Sequence, residues 1–417
     1  MPIFGILTLR SHGQAVTTIL VAMIAMLFTA VSYGRMAQVY PSAGSAFTYV
    51  SKEINPLLGV ITGWGMAMDY MLNPMINIIW CSRAAMNFAP EVHYWVWAIF
   101  FFLLFTFLNL GGIRTSAHIN EGLALAMGVV ITIFFITSAH YILGRPHGGT
   151  GFFTRPFYDP QTFRAGSVLG GTSLAVLTYI GFDGISTLSE EVENPKRNIL
   201  LATVLTCVVV GVLSALEVYV AQLAWPASQP FSDVDTAFVQ VAGRVAGAWF
   251  FIVMNLTLLV ACMGSGMAAQ LGAARLLFGM GRSNALPRSF FGVLDAKHHI
   301  PRNNVIFVGA AALLGAFLLS YSSGAEMLNF GALIAFIGVN AASLLHYYVR
   351  SSQKRLRDLF PPLLGGVICF VLWLNLSRTA LIAGVIWMVA GTCFCAWRTR
   401  GFRTELVTFD VPSDITD

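Results

Sequence analysis

Tyr179-Ile180-Gly181-Phe182-Asp183-Gly184 interrupts an apolar run from Gly166 to Leu188 that is otherwise long enough to cross a bilayer. Two glycines and an acid stand where a membrane helix is stabilised by none of them. In hydrocarbon an unpaired backbone group costs several kcal/mol, so a helix breaks there only where protein or a water-filled cavity receives the freed groups. An interrupted span is therefore the sequence mark of a solute site. Behind it, Ser189-Glu190-Glu191-Val192-Glu193-Asn194-Pro195-Lys196-Arg197 makes a charged, proline-marked exit into water.

The composition around this stretch sets the protein class. Of the 417 residues, 57% are hydrophobic and 10% charged, against about 25% charged in an ordinary soluble domain. Apolar segments of roughly 20 residues recur along the chain, so the expectation is an all-α polytopic membrane protein lying in the lipid bilayer. It has one membrane domain over 1–397 and a polar tail over 398–417. Nothing supports nucleic-acid binding. Cys81, Cys207, Cys262, Cys369, Cys393 and Cys395 lie in apolar segments without metal-ligand spacing and read as small buried hydrophobes. No phosphate-cradling loop occurs, and no cofactor is expected.

In chain order, spans are expected at Ala15 to Ala37, Leu57 to Phe88, His93 to Leu110, Ile119 to Leu143, the broken stretch, Ile199 to Ala224, Gly247 to Met280, Asn303 to Tyr321, Leu328 to Val349, Pro361 to Leu376 and Ala380 to Trp397. That is about 11 full spans of bilayer length. The stretch from Tyr40 to Pro56, with Lys52, Glu53 and Asn55, reads as an interfacial helix, and 144–164 and 225–246 read as loops. Counting alternate loops puts Arg35, Lys52, Arg114, Lys196, Arg197, Arg282, Arg288, Lys297, Arg302 and the clusters at 350–357 and 398–403 on one side. The positive-inside rule makes that side, and the C-terminus, cytoplasmic. Met1 to Leu7 then forms the outer end of a further helix, since seven residues rise only about 10 Å.

Three acids lie within spans. Asp183 coincides with the glycine break, which favours a solute role. Asp69, in Gly63-Trp64-Gly65-Met66-Ala67-Met68-Asp69-Tyr70, has two open readings, an interhelical hydrogen bond or a substrate or proton site. Glu217 lies near a helix end and reads as snorkelling. Tyr70, Tyr179 and Phe182 are placed to stack on an ammonium group, although in a chain with 13% aromatics packing is the commoner role. Arg83 reads as snorkelling, with an external gate paired to an acid as the alternative; Pro74 is expected to kink its span; His298-His299 reads as a solvated pair.

The motifs Tyr33-Gly34, Tyr40-Pro41-Ser42-Ala43-Gly44-Ser45, Ile54-Asn55-Pro56, Gly63-Trp64, Asp69-Tyr70, Gly181-Phe182-Asp183, Leu188-Ser189-Glu190-Glu191, Ala274-Arg275-Leu276-Leu277 and Asn329-Phe330-Gly331-Ala332-Leu333, in this order, resemble those of amino acid, polyamine and organocation permeases, most nearly the bacterial putrescine importers. The resemblance implies a leucine-transporter-like inverted-repeat fold, with broken helices at the first and sixth positions and the broken span here at the sixth. It implies secondary active import of an amino acid or polyamine across the cell membrane, coupled to protons. It assigns Gly181, Phe182 and Asp183 to half of the solute site, with Asp69 and Tyr70 nearby. The family carries a cytoplasmic half-helix and an unwound glycine segment at the front, of which only Pro2-Ile3-Phe4-Gly5-Ile6 has a counterpart. A misassigned start is expected. The rival reading is a truncated, non-transporting membrane protein or solute sensor.

Overall fold

The structure is a computed structural model describing residues 1–399 apart from 43, 112–116, 147–150, 188–191, 193, 227–228, 283 and 296–299, and the side chains of 117–120 and 195–196. The exit motif from Leu188 to Glu191, Glu193, and the His298-His299 pair lie outside the described residues. The helices are α1 (Phe4–Arg10), α2 (Ala15–Val39), α3 (Ser45–Glu53), α4 (Pro56–Met86), α5 (Tyr94–Leu110), α6 (Ala117–Leu143), α7 (Ala165–Ala175), α8 (Phe182–Ser186), α9 (Pro195–Ala224), α10 (Ala237–Ala246), α11 (Ala248–Arg282), α12 (Arg288–Phe291), α13 (Arg302–Leu318), α14 (Tyr321–Leu344), α15 (Leu356–Leu374) and α16 (Arg378–Arg398). Among the described residues there is no strand.

Among the described residues eight helical segments are long and apolar enough to cross a membrane, counting α7 to α8 as one. The remaining expected positions hold α5 and α13, of 17 residues each, and α4, of 31. α4 carries Asp69, Asn77 and Ser82 on buried positions, which fits a helix enclosed by others rather than by lipid. It continues through Pro74, and the side-chain amide of Asn77 donates to the Asn73 carbonyl at 2.9 Å.

Contacts between helix termini, Arg35 with Asp358, Arg350 with Glu53 and Arg398 with Asn284, gather one set of helix ends together. That set holds Arg35, Arg282, Arg302, Arg350 and Arg398 and is called the basic end below. Packing in the middle depends on missing side chains. A Cβ at Gly331 of α14 would stand 2.3 Å from the Gly65 carbonyl oxygen and 3.0 Å from the Asp69 nitrogen, so α14 meets the α4 backbone directly. α16 is tied to α4 by a reciprocal pair: each of Trp64 and Trp387 donates its indole N–H to the other's carbonyl at 2.9 Å, with the rings stacked at 4.9 Å.

Three features differ from the sequence expectation. α10 stands where a loop is expected; its 10 residues are too short to register as a span, yet they present a buried face of Phe238, Val239 and Val241. The break in the sixth span falls earlier than Tyr179 to Gly184: α7 ends at Ala175, a 3₁₀ turn covers Val176–Thr178, and Phe182 already belongs to α8. Cys393 is exposed on α16, whereas the other five cysteines are buried.

Candidate functional site

The site grows from one backbone angle. Gly181 has φ +121°, a conformation closed to ordinary side chains, and it turns the chain from the 3₁₀ segment into α8. The Gly181 N–H donates to Asp183 Oδ1 at 3.0 Å, so the carboxylate folds back on the break it follows. Asp183 Oδ2 accepts from the Tyr70 hydroxyl of α4 at 3.1 Å. Tyr70 is held between α8 and α11, since a Cβ at Gly184 would lie 3.7 Å from its hydroxyl and one at Gly272 3.3 Å from its ring.

Asp69, one residue earlier on α4, is 1% exposed and Asp183 2%. Asp69 Oδ1 has no hydrogen-bond partner, and among the described residues neither carboxylate takes part in a salt bridge. Two buried acids without a cation are a costly arrangement in a membrane interior, where ionisable groups pair with each other or face a solute path.

The other end of the break is received by α14. Asn329, fully buried, donates its side-chain amide to the carbonyls of Ser173 at 2.9 Å and Leu174 at 3.2 Å. On the basic-end side of the break, Phe182 lies 5.6 Å from the Tyr33 ring and 5.3 Å from Phe336, and Tyr33 lies 5.8 Å from Phe336. This aromatic cluster covers the break from that side. Beneath it the Ser186 hydroxyl donates to the Asp183 carbonyl at 2.6 Å and meets the Ser45 hydroxyl of α3 at 2.7 Å.

Of the residues singled out from sequence, Tyr70, Gly181 and Asp183 are joined by hydrogen bonds, Asp69 precedes Tyr70 on α4 within electrostatic reach of Asp183, and Phe182 borders them within the aromatic cluster. Tyr179 does not join them. Its hydroxyl donates to the Ile19 carbonyl of α2 at 2.8 Å, beside Gly211 of α9, so it braces the break from behind. Phe336 escapes notice in the sequence because it is a single residue in an unbroken span, and Tyr33 and Asn329 stand in motifs that resemble the permeases without any local sign of a role at the break.

At the end opposite the basic one, Arg83 meets an acid. Its Nε stands 3.9 Å from Asp235 Oδ2, and the Trp80 indole donates to the Asp235 carbonyl at 2.9 Å. Asp235 lies in the segment before α10, which α1 also meets through Phe4 against Phe231 and Phe238, each at 5.8 Å. Burial, and then the Asp233 charge, raise the Asp235 carboxyl to about 6, against the opposing pull of Arg83. A carboxyl raised on folding favours the folded form most below its unfolded value near 3.8, and that contribution is lost as pH rises through about 6. Over the same window the Arg83 attraction offsets part of that loss without reversing it. Hydrogen exchange at 232–236, corrected for intrinsic rates, is therefore expected to quicken on going from about pH 5 to about pH 7. The quickening should be larger in Arg83→Gln, where nothing offsets the cost of ionising the buried carboxyl; equal quickening in that variant would contradict the pairing.

The comparisons agree with the architecture. A family model described as amino acid permease matches residues 3–396. The low-affinity putrescine importer PlaP of Escherichia coli K12 is 34% identical over 98% of this chain and 91% of its own length. The branched-chain amino acid permease BcaP of Bacillus subtilis is 25% identical over 89% of this chain and 82% of its own. The cationic amino acid transporter 3 of Arabidopsis thaliana, described as mitochondrial, is 26% identical over 82% of this chain and 58% of its own. A helical, multi-pass bundle with a broken span at its centre is the frame of a solute transporter, and its relatives are permeases and importers rather than enzymes. The chain belongs to the amino acid permease family.

Proposed function

We propose that the protein imports a small organic cation, a diamine of the putrescine class, across the cytoplasmic membrane, with the basic end facing the cytoplasm and a proton moving with the solute. The observation that carries this is the pair of buried, cation-free carboxylates Asp69 and Asp183 beside the break. An ammonium supplies what both lack, a positive charge and several N–H donors. Tyr70 holds Asp183 in place and, with Phe182, offers an aromatic face to the ammonium. An amino acid would need a receptor for its carboxylate, and the Gly181 amide at the break is already engaged by Asp183. The identity to a putrescine importer supports the same choice.

When the site is empty, a proton is the simplest neutralising partner for either acid. Solute and proton then compete for the same negative charge, which is a route to coupling. The test is uptake by purified protein in proteoliposomes, offered labelled putrescine, arginine and isoleucine with and without an inside-alkaline gradient. Saturable putrescine uptake, raised by the gradient and undisturbed by excess isoleucine, is the expected result. Accumulation of isoleucine in preference to putrescine would overturn the substrate assignment.

A further inference from the structure

One turn of α14 touches both halves of the site. Asn329 faces the broken end of α7, and Gly331, two residues on, lets α14 lie against the α4 backbone at Gly65 and Asp69. Ser173 and Leu174 lie in the last turn of α7, where the regular α pattern gives way to the 3₁₀ turn; the Val176 N–H also reaches the Leu174 carbonyl, and the Asn329 amide adds a donor from a second helix. A single side-chain amide has two N–H donors, and here both acceptors are carbonyls of that helix end. The orientation of the amide is fixed by this arrangement: turned over, its oxygen would face two carbonyl oxygens. The cost is visible on the other side, where Asn329 Oδ1 is buried without a hydrogen-bond partner. A residue chosen only to fill space would not carry an orphaned acceptor.

We propose that Asn329 is a positioning residue for transport: its amide holds the α7 end at a set distance from Asp69, so that the two walls of the site fit one solute. The inference rests on the site assignment made above. Asn329 acts through the Ser173 and Leu174 carbonyls and has no contact of its own with the solute. Its loss therefore loosens the fit rather than removing a charge, and the signature is a changed KM.

The test uses full-length protein in proteoliposomes, with whichever of putrescine, arginine and isoleucine the wild type transports. Asn329→Asp keeps the shape of the side chain but sets a carboxylate against two carbonyls; Asn329→Ala removes the amide without adding charge. In either variant that reconstitutes, KM is expected to rise by about tenfold or more, with kcat per folded transporter changed much less. Asn329→Gln, which retains the amide donors, should recover part of the loss. Wild-type KM in the variants, with only yield or melting temperature reduced, would overturn the inference. Asp183→Asn is measured alongside. If it transports normally, the site assignment falls and this inference with it; if it is inactive while the Asn329 variants keep wild-type KM, only this inference falls.

Discussion

Replacing Asp183 with asparagine is expected to abolish uptake while leaving the bundle folded. The carboxylate accepts from the Gly181 amide and the Tyr70 hydroxyl and is 2% exposed. Asparagine has the same size, so the packing around Phe182 and Ser186 is kept. What changes is charge: the amide can still accept one of the two hydrogen bonds, but it offers an incoming ammonium no counter-ion. Removing one partner of a buried, hydrogen-bonded charge pair costs about 2–5 kcal/mol, or at least about 30-fold in uptake at limiting solute. Initial rates in proteoliposomes, normalised to folded transporter, make the comparison. Uptake within about threefold of wild type would show that the transported cation does not depend on this acid.

The second large effect is expected at the basic end, far from the break. Glu53, at the end of α3, is 2% exposed and is held from three directions. The Tyr40 hydroxyl donates to Oε1 at 2.7 Å, His346 Nδ1 lies 2.6 Å from the same oxygen, and Arg350 donates to Oε2 at 2.8 Å. His346 sits in a π-helical turn, Leu345–Val349, that ends α14, an irregularity frequent at functional positions. Arg35 adds a second tie, pairing with Asp358 at 2.5 Å and lying over the Tyr347 ring at 3.8 Å. Together these contacts close the ends of α2, α3, α14 and α15 over the aromatic cluster.

Breaking a buried ion pair by removing one partner costs about 3–5 kcal/mol. Arg350 is 55% exposed and His346 32%, so solvent screens much of that for Glu53→Gln, and about 2 kcal/mol is the expected loss. The melting temperature in detergent should fall, and a double-mutant cycle with Arg350→Met should show a coupling of at least about 0.5 kcal/mol. Additive effects of the two substitutions would contradict a shared tie. On the proposed import route solute leaves at this end past the tie, and Glu53→Gln should then also label faster at a cysteine introduced at Ser45.

The parts of the fold that were legible in the sequence are those written in local composition. Runs of apolar residues place the spans, and Gly181 with Asp183 marks the broken one. The break itself starts earlier than its glycines because Val176-Leu177-Thr178 is as apolar in a 3₁₀ turn as in an α-helix. α10 is hidden by its 10-residue length and by the prolines and aspartates before it. Nor does local sequence show convergence across distance. Asn329 reaches carbonyls more than 150 residues away, Glu53 meets His346 and Arg350, and the acid facing Arg83 lies just before α10. Tyr179 shows the converse case, an aromatic beside the break whose direction is set by the Ile19 carbonyl on a neighbouring helix.

The central claim is that the two buried acids beside the break receive the ammonium of the transported solute. The most direct measurement is a structure determined with putrescine bound. One amine nitrogen is expected within about 3.2 Å of an Asp183 carboxylate oxygen, with the chain lying along Tyr70 and Phe182 and Asp69 on the same side of the solute. Putrescine density elsewhere in the bundle, with the Tyr70–Asp183 hydrogen bond undisturbed and no cation near either acid, would contradict it.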